Sequence, residues 1–479
     1  MTSILRCGSI EPFEWIVEQL MQLNLPIIDD NKIDIRRRNV LSSPKFGGSC
    51  DIDSKPYLKE LGIEIIERRQ PIQFTSNFGE HVHRWAPYIQ GFSAAFVQSI
   101  LDQYKDEYKS PVILDPFAGC GTVLTQSKLN GYKSIGTELN PLLQFIADTK
   151  VNSWDVNPEL LMEVFSSIPR DLRTPAPEFL KSENQFNREV LKNLEFLKGG
   201  IDSISAKTRK LKKVKDLLLL AFSSILINCS NLKRTPCLGY WKDKRVADNA
   251  PWIFMKQKIK DICNDLEILQ SKCRENIREH SKVYFANAME HRHEDMFDLI
   301  ITSPPYMNGL DYVMNYKIEM GWLGFTKALK DAKKVKDSLV VCDNVSKGLI
   351  KTFAQTQTNS KYTNNWIEDI KTNIAVNIKR RGNYRRSDMP HIVHKYFDDM
   401  HKVMKTISKS LKRNGRFILV VGDSLIADVY VPTDLILAKI GTELDLAIEK
   451  VERARNRHSG QIRNYRLRET IVTLSKNSD

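Results

Sequence analysis

The stretch SPVILDPFAGCGTVLTQSKLNGYKSIGTELNP, residues 110–141, decides the fold class of this chain. It begins with an apolar, partly β-branched run that ends in a glycine loop, and a helical segment follows that closes at Asn130-Gly131. A second apolar run ends at Glu138, and Pro141 stands in the first turn of another helix. Strands that alternate with helices in this way are typical of parallel sheets, so the stretch predicts an α/β fold.

The alternation of strands and helices breaks off after about residue 150 and resumes near residue 280. Long amphipathic, Lys-rich segments occupy the gap and predict helices, and a polar, basic stretch interrupts the second half of the chain. We therefore expect a core made of three parts, 76–155, 281–325 and 391–479. The remaining parts are an N-terminal extension (1–75), a helical insert (156–280) and a basic insert (326–390).

The composition places the chain among globular proteins that work in the cytoplasm. Of its 479 residues 42% are hydrophobic and 27% charged, and we find neither a run of eighteen apolar residues nor a signal peptide, which argues against a membrane protein. The eight cysteines form no CxxC pair, so we expect reduced thiols rather than a disulfide framework or a metal site. The net charge of +14 fits a nucleic-acid partner, but a Lys-rich solvated surface explains it equally well.

The glycine loop LDPFAGCGT, residues 114–122, is the first candidate binding site. Small residues between a strand and a helix allow backbone N–H groups to approach a ligand, and the start of the helix favours negative charge there. The loop is not GxGxxG, so it does not indicate a dinucleotide. Glu138, at the end of the next strand, can accept hydrogen bonds from both hydroxyls of a ribose. Together with Asp115 this pattern favours a ligand that contains a nucleoside over a mere tight turn.

The second candidate site is DLIITSPPYMNGLDY, residues 298–312, where a buried strand stops at two prolines. The prolines fix an extended exit from the strand, at the sheet edge where α/β folds bind ligands. The Pro304 carbonyl and the Ser303 hydroxyl then offer two acceptors, and Tyr306 offers a flat ring. These groups suit a planar molecule with an NH₂ group, such as a nucleobase, better than a simple proline-stopped turn.

Five segments together resemble one enzyme family: LDPFAGCGT, GTELNP, VYFANAME, FDLIITSPPY and LKRNGRFILVVGDS. They look like the S-adenosylmethionine-dependent amino-methyltransferases of DNA, which methylate N4 of cytosine or N6 of adenine. The resemblance spans about 76–155 and 280–475, and it implies a Rossmann-like class I methyltransferase fold with a mostly parallel, seven-stranded sheet. It also implies a bacterial modification methylase that acts on double-stranded DNA, with any cognate restriction endonuclease acting separately and with no metal.

The resemblance assigns roles to particular residues. In the family the glycine loop and the acid of the second strand hold S-adenosylmethionine, and a segment like HRWAPYIQGFS contributes as well. The implied cofactor-binding residues are Asp115, Phe117, Ala118, Gly119, Gly121, Glu138, Asn287, Trp85, Pro87 and Tyr88. Asn287 stands where family members often have Asp. The implied catalytic residues are Ser303, Pro304, Pro305 and Tyr306.

The chemistry expected of these four residues is largely positioning. Hydrogen bonds from the amine to Ser303 and Pro304 would localise the nitrogen lone pair, without a covalent intermediate or a metal. The base must leave the duplex to reach the site, and Tyr306 would stack on it. In the family, Ser before Pro-Pro is more often found in enzymes that methylate N4 of cytosine, and Asp or Asn in those that methylate N6 of adenine. Ser303 therefore favours cytosine, and adenine remains the alternative.

Both inserts are candidates for DNA recognition, because Arg and Lys can hold phosphates or read guanine edges. The candidate DNA-binding residues are Arg380, Arg381, Tyr384, Arg385, Arg386, Lys210, Lys213 and Arg234. For the lysines a solvated helix face is an equally good explanation. We also consider Asn308, Asp311 and Tyr312 for the base pocket, and Arg453, Arg455 and Arg457 for the DNA backbone.

Three other functions stay open at this stage. Similar Pro-Pro-Tyr sites act on tRNA guanine, so an RNA N-methyltransferase is one, and a methyltransferase-like binding subunit without activity is another. A C5-cytosine methyltransferase would use a Pro-Cys nucleophile, and Pro236-Cys237 supplies that dipeptide. This dipeptide lies inside the helical insert and away from any predicted strand end, which favours a structural or DNA-facing loop.

Overall fold

The computed structural model describes residues 48–68, 74–86, 88, 91–234, 237–273, 275–276, 280–309, 311–356, 360–459 and 464–477. Most of the expected N-terminal extension therefore lies outside the described residues, and so do Pro87 and Pro236.

The strands are β1 (Ile65–Glu67), β2 (Ile113–Asp115), β3 (Ser134–Glu138), β4 (Leu232–Arg234), β5 (Leu238–Tyr240), β6 (Ser281–Phe285), β7 (Phe297–Thr302), β8 (Leu411–Gly422), β9 (Ser424–Ile426), β10 (Val429–Val431), β11 (Leu446–His458) and β12 (Arg466–Lys476). The helices before β6 are α1 (Cys50–Asp53), α2 (Lys55–Leu61), α3 (Ala94–Tyr104), α4 (Thr122–Leu129), α5 (Pro141–Asn152), α6 (Pro158–Ser166), α7 (Ser182–Gln185), α8 (Arg188–Asp202), α9 (Arg209–Cys229) and α10 (Ala250–Lys272). Those after β7 are α11 (Tyr312–Asn315), α12 (Lys317–Trp322), α13 (Leu329–Ser338), α14 (Lys347–Gln355), α15 (Asn365–Arg381), α16 (Met389–Ser408) and α17 (Thr433–Thr442).

The main sheet has the strand order β1-β11-β12-β8-β7-β2-β3-β6. Its strands run parallel except for β12, which is antiparallel to both of its neighbours. The predicted α/β fold with a mostly parallel sheet is confirmed. In the described part of the chain the sheet has eight strands rather than seven, because β1 adds to the β11 edge in parallel, with Ile65 opposite Val451. The sequence did not predict this pairing, because a distant partner leaves no local signal.

Helices cover both faces of the sheet, which explains why the central strand β2 is buried along its whole length and β7 along nearly all of it. Ile113 packs into the core on one face and the next residue, Leu114, packs into the core on the other. The helices α15, α16 and α17 contribute to the second of these cores, whereas α3 contributes to the first. Among the described helices, none combines the length and the apolar character that crossing a membrane requires.

The helices α8, α9 and α10 share a third core with α11 and α12, which follow the SPPY segment. The β4–β5 hairpin lies beside α11, since Leu238 N donates to Asn315 Oδ1 over 2.9 Å. The helical insert therefore packs against the segment that follows the candidate catalytic residues in the chain.

The strand order reverses at β2, which lies between β3 on one side and β7 on the other. Ligands of open α/β sheets bind outside the carboxyl ends of the strands at such a switch point. The glycine loop follows β2 and the SPPY segment follows β7, so the fold brings the two candidate sites to the same edge.

Candidate active site

The glycine loop between β2 and α4 depends on its two glycines. Gly119 and Gly121 have φ values of +51° and +81°, in the left-handed region that residues with a Cβ rarely adopt. A Cβ on Gly121 would also lie 3.0 Å from the Cβ of Ala147 in α5. The glycines therefore allow both the turn and the close packing of α4 on α5.

Glu138 holds the loop from the end of β3. Its Oε2 accepts from Gly119 N over 2.9 Å, and its Oε1 accepts from Asn140 N over 2.7 Å. Burial raises the pKa of Glu138, while these backbone donors and that of Leu139 act in the opposite direction. The carboxylate is therefore held in one orientation at the edge of the sheet.

A cavity lies at this edge of the sheet. Residues of both candidate sites line it. The lining residues are Tyr88, Pro116, Phe117, Gly119, Glu138, Leu139, Asn140, Leu143, Ala286, Asn287, Ala288, Ser303, Pro305, Tyr312, Leu339 and Val340. Five predicted cofactor-binding residues and two predicted catalytic residues thus face one space.

Asp115 lies behind this cavity and does not line it. Its Oδ1 accepts from Phe117 N over 3.1 Å and from the Thr302 hydroxyl over 2.7 Å. Thr302 is the last residue of β7 and directly precedes Ser303. Asp115 therefore links the glycine loop to the strand that carries the candidate catalytic residues.

Burial raises the pKa of Asp115 to about 7 from an ordinary value of 3.8. Between these values the folded protein holds more protons than the unfolded chain, so this group makes the fold less stable as the pH rises from about 4 to 7. We expect Asp115→Asn, whose side chain stays neutral, to show a smaller fall in Tm between pH 5 and pH 8 than the wild type. Parallel Tm-against-pH curves for the two proteins would contradict this assignment.

Some residues of the segment HRWAPYIQGFS line the cavity, and others contact the helical insert. Tyr88 lines the cavity, whereas Trp85 is fully buried and donates from Nε1 to Asp265 Oδ2 over 2.8 Å. Asp265 belongs to α10 and also accepts from Arg84 and from Val82 N. Pro87 lies outside the described residues, and Ala118 and Gly121 support the loop without lining the cavity.

The SPPY segment leaves β7 in a non-helical conformation, as its prolines predicted. Ser303 and Pro305 are half-buried and Pro304 is buried. The Tyr306 hydroxyl donates to Glu469 Oε1 over 2.6 Å, and the Arg457 guanidinium lies 5.4 Å from the centre of the Tyr306 ring.

The residues after Tyr306 make different contacts. Asn308 Oδ1 accepts from the Ser424 hydroxyl over 2.9 Å, and Tyr312 lines the cavity. Asp311 caps α11 and pairs with Lys336 over 2.6 Å, so its carboxylate already has partners within the protein.

A second cavity lies next to the SPPY segment and brings together residues from two predicted regions. It is lined by Asn308, Asp343, Arg381, Asn383, Tyr384, Arg385, Arg457 and Ser459, and we call it the basic cavity. Arg381 pairs with Asp428, and Arg385 pairs with Asp343. Arg386 lies beside them, bound to Asp388 and to backbone carbonyls, while Arg380 is exposed at the end of α15.

The basic residues of the helical insert lie elsewhere. Lys213 pairs with Asp155 over 2.5 Å and lines a different cavity with residues that precede β3 and β6, and Lys210 is exposed on α9. Arg234 donates to Glu319 Oε1 over 2.6 Å and lies over the Tyr316 ring, so it fixes the β4–β5 hairpin to α12. Cys237 is exposed on that hairpin and does not line the first cavity.

Glu469, Asp343 and Ser424 contact the candidate site without having been expected from the sequence. Each lies far along the chain from the residue that it contacts. Glu469 and Asp343 belong to none of the five family-like segments, and Ser424 ends the segment LKRNGRFILVVGDS but was assigned no role by the resemblance. Within the described residues, no three His, Cys, Asp or Glu side chains are arranged to hold a metal ion.

The chain is similar to several Type II methyltransferases. It is 22% identical to M.BsoBI of Geobacillus stearothermophilus, over 94% of this chain and 97% of the relative. It is 27% identical to M.AvaI of Nostoc sp. (80% and 83%) and 22% identical to M.MvaI of Kocuria varians (80% and 86%). These relatives confirm the resemblance to modification methyltransferases that the motifs indicated.

Two other comparisons add nothing to this. No family model matches the chain. The solved rRNA methyltransferase aviRa of Streptomyces viridochromogenes aligns with 81% of this chain and 87% of its own, at 9% identity and a TM-score of 0.27, which is too low to carry an argument.

Proposed function

We propose that this chain, as a relative of Type II methyltransferases, transfers a methyl group from S-adenosylmethionine to N4 of cytosine in double-stranded DNA. We place it in a restriction–modification system, in which any endonuclease acts separately. The observation that supports this best is the single cavity lined by Glu138 and the glycine loop on one side and by Ser303 and Pro305 on the other. A donor and an acceptor of a chemical group must meet in one such space.

The cavity offers what S-adenosylmethionine requires. Glu138 is a fixed carboxylate acceptor for ribose hydroxyls, and the glycine loop lets the methionine part approach the backbone. Asn287 faces the same space, with Oδ1 accepting from Met289 N over 3.0 Å, and would lie beside the adenine. When bound, the cofactor supplies a methyl group on a positively charged sulfur.

The SPPY segment supplies the acceptors for the target amine. The Ser303 hydroxyl and the Pro304 carbonyl can each accept one hydrogen of the NH₂ group, which localises the nitrogen lone pair. The same oxygens face the proton that this nitrogen gives up after it gains a methyl group. The prolines hold the two acceptors rigidly, so the site needs little rearrangement.

The choice of N4-cytosine rests on Ser303, because the family pattern associates a hydroxyl at this position with cytosine. N6-adenine is the second candidate, since the cavity and both acceptors suit that amine as well. C5-cytosine methylation through a Pro-Cys nucleophile is less well supported, because Cys237 lies on a hairpin outside the cavity.

We further propose that the basic cavity and the exposed Arg380 beside it receive the DNA backbone. Asn308 lies two residues beyond Tyr306, and Arg457 contacts both the Tyr306 ring and this cavity. An extruded base that stacks on Tyr306 would bring its own phosphates here. Lys213 lines a different cavity and Lys210 is exposed on α9, whereas the Arg234 side chain is buried as well as paired with Glu319, so these residues are weaker candidates.

Replacement of Arg380 provides a test of this surface. We expect Arg380→Ala to weaken binding to DNA of any sequence and to reduce the slope of log K against log salt by about 1, as the loss of one phosphate contact would. Lys210→Ala, on the exposed face of α9, is the matched control and should leave the slope unchanged. A changed slope in the control alone would move the DNA surface to the helical insert.

The reaction itself is tested by incubating the protein with tritiated S-adenosylmethionine and unmethylated genomic DNA, followed by nucleoside mass spectrometry. N4-methylcytosine is the expected product. N6-methyladenine would overturn the choice of base only, and label in tRNA but not in DNA would favour an RNA methyltransferase. Absence of S-adenosylmethionine binding in calorimetry would favour a binding subunit without activity.

A further inference from the structure

The hydroxyl of Tyr306 is engaged although stacking on a base requires only the ring. It donates to Glu469 Oε1 over 2.6 Å, a short hydrogen bond to a carboxylate. Burial, with Glu469 as a second cause, raises the pKa of Tyr306 well above its usual value, so the hydroxyl keeps its proton and remains a donor.

Glu469 is itself held in place. It lies on β12, only 4% exposed, opposite Gly422 of β8. Its second oxygen, Oε2, accepts from Arg455 Nε. A carboxylate with both oxygens bound on the central part of a sheet has little freedom to move.

The surroundings of the ring are equally close. The Arg457 guanidinium lies 5.4 Å from the ring centre, within the range of a cation–π contact. A Cβ on Gly422 would come within 2.0 Å of Arg457 Nη1 and 3.1 Å of Tyr306 Cε2. The absence of a side chain at Gly422 therefore leaves room for Arg457 and Tyr306 to pack together.

We propose that Glu469 is a positioning residue, which fixes the ring plane of Tyr306 in advance so that it can receive the extruded base. A tyrosine attached only through its Cβ can turn about two side-chain bonds, whereas a hydrogen bond at the far end of the ring prevents this. Binding then requires less ordering of the side chain. The part of this inference that concerns the base rests on the proposed function.

Three substitutions separate this role from mere packing. Glu469→Leu removes the acceptor, Tyr306→Phe removes the donor and keeps the ring, and Glu469→Gln keeps an acceptor oxygen. We expect the first two to lower kcat about tenfold with an unchanged KM for S-adenosylmethionine, the loss of about one hydrogen bond. Glu469→Gln should restore most of the activity. Equal losses in Glu469→Leu and Glu469→Gln would overturn the proposal.

A second measurement does not depend on activity. In protein labelled with 3-fluorotyrosine, the ¹⁹F resonance of Tyr306 is identified by its loss in Tyr306→Phe. We expect it to shift or broaden in Glu469→Leu and to stay in place in Glu469→Gln. An unmoved resonance in Glu469→Leu would overturn the positioning role, whereas a moved resonance in a protein that methylates no DNA would refute the proposed function alone.

Discussion

Replacing Ser303 with alanine is expected to lower kcat for methyl transfer by about a hundredfold, the usual cost of removing one fixed polar group from a reacting centre. Ser303 faces the cavity directly after β7, where its hydroxyl can accept a hydrogen of the target amine. Without it, only the Pro304 carbonyl would orient the nitrogen. Single-turnover rates with saturating DNA and cofactor measure the effect on the chemical step.

The affinity for S-adenosylmethionine should not change in this variant, because we assign the ribose and methionine contacts to other residues. Ser271→Ala is the matched control, since Ser271 is exposed on α10 and its hydroxyl bonds only its own helix. A Ser303→Ala enzyme that keeps its rate would show that the Pro304 carbonyl suffices, and would remove Ser303 from the catalytic residues.

Glu138→Ala is expected to weaken the binding of S-adenosylmethionine by about a hundredfold. Hydrogen bonds to a charged partner contribute about 1.5–3 kcal/mol, and the change removes the proposed acceptor of the ribose hydroxyls. It also releases Gly119 N and Asn140 N, so the glycine loop loses a support on which the cavity depends. Calorimetric titration with S-adenosylmethionine gives the dissociation constant directly.

The controls for Glu138 separate the ligand contact from the loop contact. Glu64→Ala removes an exposed carboxylate outside the cavity and should bind the cofactor like the wild type. Glu138→Gln retains one acceptor oxygen and should fall between the wild type and Glu138→Ala. Cofactor binding by Glu138→Ala at the wild-type affinity would rule out the ribose assignment.

The sequence predicted the parts of this fold that have local signals. The β2–loop–α4–β3 unit and the proline-stopped end of β7 follow from apolar runs, glycines and prolines within about thirty residues. The edge pairing of β1 with β11 has no such signal, because it joins residues nearly four hundred positions apart. Glu469 could not be predicted for the same reason, because it is distant in sequence from Tyr306 and contacts it only when the sheet forms.

The candidate site shows a similar division. The motifs predicted Glu138, Asn287 and Ser303, and these residues line one cavity. They also suggested Asp115, which holds the glycine loop and β7 behind the cavity, and Trp85, which binds Asp265 of α10. A motif marks a segment and does not say which way a side chain points. For Lys210 and Arg234 the charge alone was the signal, and only tertiary packing shows which charges are paired internally.

The hydrogen bond between Trp85 and Asp265 of α10 bears on whether the helical insert could be exchanged between relatives. If target recognition resided in a separable module, a chimera could exchange it between relatives and leave catalysis intact. Here Asp265 of α10 binds Arg84, Trp85 and the backbone at Val82, just ahead of the cavity residue Tyr88. Tyr88 in turn stacks on Tyr316 at 6.0 Å. A helical insert grafted from a relative would therefore have to supply its own partner for Arg84 and Trp85.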